Sequence, residues 1–227
     1  YVGTSLSLLF GKNTEVTVSD IITQKLTNFS DGKLPIDDSF AQEYLNKNNL
    51  NISTIDLNAI NYPDYDFLIL STPTNYDPKL NNFNTHFIDS YLESAVEQNP
   101  HIKIVIKSTV PVGHTEQKNK ELHTNQIIFA PEFLREGNAL YDNLYPSRII
   151  AGGDSAIAQE FIQMHQEACL LDNPKTLLMS STEAESVKLF SNTYLAMRVS
   201  FFNELDSYAL QHKINPQNVI DGVCHDP

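Results

Sequence analysis

At 227 residues, 41% of them hydrophobic, the chain has the length of one large domain, or of one domain and part of a second. A net charge of −13 excludes a basic surface for nucleic acid, and no apolar run is long enough to suggest a membrane span. Two cysteines make no disulfide framework, which places the protein in a reducing cytoplasm, and no metal site is expected.

In chain order, Tyr1-Val2-Gly3 leads into Ser5–Phe10, which reads as a helix, and then into a β-branched run at Glu15–Asp20. Further strand-like runs fall at Phe67–Thr72, Ile102–Thr109, Ile127–Glu132, Arg148–Ala151 and Thr176–Ser180. Helical spacing marks Phe83–Gln98, Thr115–Leu122 and Ala156–Leu170. Strands separated by helical stretches predict βαβ units, hence a mostly parallel sheet covered by helices. From Ser181 the pattern changes. Thr182–Gln211 has neither Gly nor Pro and is apolar around most of its second half, so it predicts a long helix needing burial on several sides, as in a helix linking domains or packing on a second subunit. Ser181 or Thr182 is the expected N-cap, with Glu183 and Glu185 near the positive helix end. Asn215-Pro216 should break this helix and begin another.

Gly3 fits the third glycine of a G-x-G-x-x-G dinucleotide turn, the one that lets helix and strand approach closely. Asp20, ending the following strand, is where a carboxylate accepts from ribose hydroxyls and repels a 2′-phosphate, which favours NAD over NADP. By themselves these residues read equally well as a turn glycine and a solvated carboxylate.

Three segments carry a more specific signal: Ser71–Asp77 (STPTNYD), Lys107–Gly113 (KSTVPVG) and Ala130–Gly137 (APEFLREG). Ala139–Arg148 follows, and the long helix adds Glu183-Ala184-Glu185, Lys188–Tyr194 and Phe202–Asp206. Together and in order they resemble the bacterial UDP-glucose dehydrogenases, within the nucleotide-sugar 6-dehydrogenase family, over the whole chain. The resemblance implies a Rossmann-like NAD-binding domain over residues 1–180. It also implies the start of a helical dimerisation domain over 181–227, a homodimer, and oxidation of UDP-glucose to UDP-glucuronate with NAD. Other members act on GDP-mannose or on a UDP-N-acetylhexosamine, and a non-catalytic nucleotide-binding or dimerising module is the alternative of another class.

The same resemblance assigns roles. Val2, Gly3, Asp20, Lys25, Thr74, Thr109 and Glu136 would meet the cofactor, with Lys25 near the adenosine ribose. Thr109 would orient the hydrolytic water, and Glu132 would handle protons. Glu136 and the Phe133-Leu134 backbone would grip the substrate together with Glu132, and Tyr141 would reach a phosphate. Lys188 and Asn192, four apart and so on one helix face, would bind the sugar and stabilise an oxyanion at C6. Without the resemblance, Lys188 and Asn192 read as a solvated helix face, and Glu132 and Glu136 as a surface pair with Arg135.

Cys224-His225 is not expected to be a catalytic dyad, because sequence neighbours diverge on a helix. Cys169 is expected in the core. The family's nucleophile motif, its C-terminal UDP-binding domain, the first strand and two glycines of the phosphate turn have no counterpart here, so the chain is expected to be part of a longer protein.

Overall fold

Alternating strand and helix signals become alternating elements in the computed structural model, which describes residues 1–77 and 82–225. Asp226 and Pro227, the end of the Gly222–Pro227 stretch, lie outside the described residues. Two compact units are present, Tyr1–Ser186 and Val187–Pro227.

The first unit runs α1 (Val2–Phe10), β1 (Val16–Val18), α2 (Thr23–Ser30), α3 (Ser39–Lys47), β2 (Ile52–Thr54) and β3 (Phe67–Leu70). A short pair, β4 (Tyr76–Asp77) and β5 (Asn82–Phe83), precedes α4 (His86–Gln98), β6 (Lys103–Ile106), α5 (His114–Glu121) and β7 (Ile127–Phe129). Then come α6 (Ala139–Leu144), β8 (Ile149–Gly152), α7 (Ser155–Ala168), β9 (Thr176–Met179) and the first turn of α8 (Ser181–His212). The helix expected from Phe83 begins at His86 instead, since Phe83 pairs with Tyr76 in the small hairpin.

Five strands form one sheet in the order β3-β6-β7-β8-β9. Pairing is parallel except between β7 and β8, which meet antiparallel through Phe129 and Gly152. Strands β1 and β2 form a separate parallel pair. The central β6 and β7 are almost wholly buried because helices cover the sheet, which is why they read as runs of Ile, Val and Phe rather than alternating. Each such side chain removed from water contributes about 1.5–3 kcal/mol.

Helix α1 is buried from Ser5 to Phe10, serines included. The helix itself absorbs their hydroxyls: Ser5 Oγ donates to Val2 O and Ser7 Oγ to Thr4 O. Ser5 Oγ also accepts from Asn143 Nδ2 at 2.9 Å, tying α6 to α1. Helix α7 starts where Asp154 accepts from the N–H groups of Ala156 and Ile157. Cys169 is not a core residue as expected. It is half-buried at the C-cap of α7, where its thiol donates to Gln166 O.

Ser180, not Ser181 or Thr182, caps α8. Its Oγ accepts from Glu183 N while Glu183 accepts from Ser180 N, a reciprocal capping box of the Ser-x-x-Glu type.

The second unit holds the rest of α8 and α9 (Pro216–Cys224). Helix α8 ends at His212, where Lys213 takes the left-handed conformation (φ 53°) and Ile214 N reaches back to Ala209 O. Asn215 then accepts from Gln217 N and Pro216 opens α9, the break that the sequence predicts. Among the described residues no helix is long and apolar enough to cross a membrane.

Candidate functional site

In a doubly covered parallel sheet, ligands collect at the carboxyl ends of the strands, where loops turn into helices. Most of the residues singled out by sequence fall on that edge of the first unit.

Gly3 lies in the first turn of α1. A Cβ there would fall 2.6 Å from Ser71 Oγ, just beyond β3, so any larger residue would make the Ser71 hydroxyl turn away from the start of the helix. Helix α1 has no side-chain cap, so its first N–H groups have no capping acceptor from their own N-cap residue. Asp20 follows β1. Its Oδ1 accepts from Ile22 N at 2.9 Å and its Oδ2 pairs with Lys25 Nζ at 3.3 Å. Tyr1, beside Val2, lies within electrostatic reach of both of these and of Glu136. The structure therefore gathers Gly3, Asp20, Lys25 and Glu136 around the start of α1.

A second group forms where β3 and β6 end. Thr74 Oγ1 donates to Thr109 O at 2.6 Å, and Ser108 Oγ donates to Thr72 O at 2.7 Å. Thr72 Oγ1 is buried without a hydrogen-bond partner among the described residues, an orphaned polar atom at the mouth of the same edge. The open first turn of α1, a carboxylate at the end of β1 and this unpaired hydroxyl suit a dinucleotide: the helix turn for its pyrophosphate, Asp20 for a ribose.

Glu132 is half-buried just after β7 and opens the segment that carries Phe133, Leu134 and Glu136. This segment is not helical, and Arg135 does not pair with Glu132 or Glu136 as the surface reading would have it. Asp142 of α6 instead accepts from Arg135 N, Nε and Nη2 at 2.8, 3.1 and 2.6 Å. The Arg148 guanidinium lies over the Phe133 ring, 3.5 Å from its centroid. Tyr141 is exposed on α6, its ring against Phe40 and Tyr145.

Lys188 and Asn192 belong to the second unit, one turn apart on α8. Cys224 is exposed at the end of α9, and His225 is the C-cap that follows it.

The sequence reading gave Asp142 and Arg148 no role, and placed Glu185 only near the positive end of its own helix. Asp142 carried a signal, since an Arg and an Asp seven apart flank the Gly137 turn. The Glu185 partners, Gly113 and Thr115, are about seventy positions away and left no local trace.

Residues 1–168 match the model of the UDP-glucose/GDP-mannose dehydrogenase family, NAD binding domain, and residues 182–227 match the central domain of that family. A UDP-glucose 6-dehydrogenase of Streptococcus pneumoniae is 42% identical over the whole of this chain and 59% of its own length. One of Campylobacter jejuni is also 42% identical, with 100% of this chain and 58% of that protein covered. Among solved structures, a UDP-glucose dehydrogenase from Pyrobaculum islandicum aligns with all of this chain and 55% of its own at TM-score 0.86 and 24% identity, a likeness of fold. The chain thus spans somewhat more than half the length of these relatives.

Proposed function

The chain belongs to the UDP-glucose/GDP-mannose dehydrogenase family, and we propose that the whole protein oxidises the C6 alcohol of UDP-glucose to the carboxylate, giving UDP-glucuronate. The observation that carries the cofactor reading is the group at the start of α1, where Gly3 lies close to Ser71 and Asp20 pairs with Lys25. The 42% identity to two UDP-glucose 6-dehydrogenases supports the choice of sugar nucleotide.

Alcohol to carboxylate takes two steps, each removing one hydride, with uptake of one water, and NAD, when bound, would supply the hydride acceptor, two per sugar. The chain's own residues do the rest. Val2, Gly3 and the α1 amides bind the pyrophosphate, while Asp20 and Lys25 orient the adenosine ribose and disfavour a 2′-phosphate. Thr74 and Glu136 border the cofactor, and Thr109 also orients a water by its hydroxyl. Glu132 holds or moves a proton through water. Glu136 and the backbone at Phe133 and Leu134 hold the sugar nucleotide in a segment fixed by the Arg135–Asp142 and Arg148–Phe133 contacts, and Tyr141 presents its hydroxyl to a phosphate. Lys188 and Asn192 present an ammonium and an amide on one helix face to the oxygen at C6, where negative charge develops.

The domain reading, an NAD-binding domain over 1–180 and the start of a dimerisation domain over 181–227, belongs to the same proposal. Neither β1 nor β3 has a strand partner on its second edge among the described residues, and a parallel strand leading into α1 suits those edges. The apolar second unit suits a homodimer, and the unpaired cysteines suit a cytoplasmic protein.

The test is NADH formation by the whole protein with UDP-glucose, GDP-mannose and UDP-N-acetylmannosamine in turn. UDP-glucose is expected to give the highest kcat/KM and two NADH per sugar. A higher kcat/KM with either other sugar overturns the substrate assignment, and one NADH per sugar overturns the two-step oxidation.

A further inference from the structure

Helix α5 begins at a residue that cannot cap it. Its N-cap is Gly113, at φ 92°, which has no side-chain oxygen to accept from the first-turn N–H groups. The acceptor comes from α8 instead. Glu185, only 1% exposed, accepts from Gly113 N, from Thr115 N at 2.9 Å and from Thr115 Oγ1 at 2.6 Å. Side-chain oxygens this buried need hydrogen-bond donors, and the first turn of α5 supplies them.

The segment so held is the one that carries Thr109. At its start Thr74 Oγ1 grips Thr109 O at 2.6 Å. In between, Pro111 restricts the chain and its carbonyl accepts from His114 N at 3.1 Å. At its end the fastening is Glu185. The span from Thr109 to Gly113 is thus fixed at both ends, and only the first is at the cofactor edge.

We propose that Glu185 is a positioning residue for Thr109: by capping α5 from another helix it holds the Thr109–Gly113 loop, and with it the Thr109 hydroxyl, in register with the site. This rests on the proposed role of Thr109 in the dehydrogenase reading. Glu185 contacts neither substrate nor cofactor in that reading. It acts by removing freedom from a loop whose hydroxyl has to be right within a fraction of an ångström.

A double-mutant cycle in the whole protein, with UDP-glucose and NAD, tests it. Glu185→Gln keeps the side-chain shape but sets an amide against a backbone N–H. It should lower kcat about 10- to 100-fold and leave KM for UDP-glucose within about three-fold. In a Thr109→Ala background the same change should cost less than about three-fold, because the group it positions is already gone. Equal losses in both backgrounds, with Thr109→Ala itself strongly impaired, would overturn the Glu185 assignment and leave the dehydrogenase reading standing. A Thr109→Ala variant with unchanged kcat would overturn the role of Thr109 and this proposal with it. Should Glu185→Gln fail to fold, Thr115→Val removes one of the three bonds and runs the same cycle, and Thr115→Ser should restore activity. A Thr115→Val loss that persists undiminished without the Thr109 hydroxyl would overturn the proposal.

Discussion

In the first unit Leu8, Leu9, Phe129 and Phe161 are fully buried, whereas in the second Met197, Val199, Phe201 and Leu210 each keep more than half of their surface exposed. Both sets are large and apolar, and what separates them is the kind of element. A sheet with helices on its faces covers its own apolar side chains; one long helix followed by a short one has too little neighbouring surface to do so. Apolar side chains exposed around one helix suit coverage in the whole protein, and the proposed homodimer would supply it.

That contrast can be broken by substitution. In the whole protein Leu9→Ala should cost about 2–5 kcal/mol of stability by leaving a cavity in the core. Met197→Ala should cost the subunit less than about 0.5 kcal/mol, and should instead weaken association. Urea unfolding and sedimentation equilibrium read the two effects. A stability loss at Met197 as large as that at Leu9, with association unchanged, would show that the second unit has a core of its own.

Lys188 bears on whether the second unit contributes chemistry as well as surface. Lys188→Ala should lower kcat and kcat/KM together by about 10²-fold, as loss of an oxyanion donor does, with little change in KM for UDP-glucose. An unchanged kcat with a raised KM would make Lys188 a substrate anchor.

His165 sharpens the picture of the first unit. Burial, with Lys107 adding to it and the Asn143 carbonyl opposing, pushes its imidazole from 6.5 down to about 3. Because the folded pKa is the lower one, the unfolded chain takes up the proton first as pH falls. The His165 contribution is therefore intact above about pH 6.5 and is lost progressively toward pH 3, at about 1.4 kcal/mol per pH unit. Urea midpoints at pH 7 and pH 5 should differ less in His165→Gln than in the parent. Equal differences would mean that His165 does not carry the acid sensitivity.

The smallest effect is expected at Cys224. Exposed at the end of α9, it should tolerate Cys224→Ser with turnover within a few-fold of the parent. Loss of turnover by orders of magnitude in folded protein would make it the working thiol.

Local signals survived translation into structure where they depended on local physics. The long helix is found within one residue of its expected ends, and Asn215-Pro216 starts a helix as that dipeptide should. Gly3 lies where α1 comes close to Ser71 beyond the end of β3, and Asp20 lies just past the end of β1. The expected N-cap of α8 was off by one or two residues, although Ser180-x-x-Glu183 was there to be read. Strand β2 went unread because three residues are too few to show a period, whereas helix α3 was legible in Asp38 and the spacing of Phe40, Ala41, Tyr44 and Leu45 but was not read.

Sequence by itself determined the type of the longer elements, the break between the last two helices and the placing of Asp20, Thr74, Thr109 and Glu132 after strands, since these follow from period, turn chemistry and spacing within a dozen residues or so. Tertiary structure alone decided that β8 runs against β7, that Arg135 turns to Asp142, and that α5 is capped by Glu185 of α8. Each of these depends on which side chains arrive beside one another from distant parts of the chain. A buried donor is satisfied by whichever acceptor packing brings within reach, and residue order does not say which that will be.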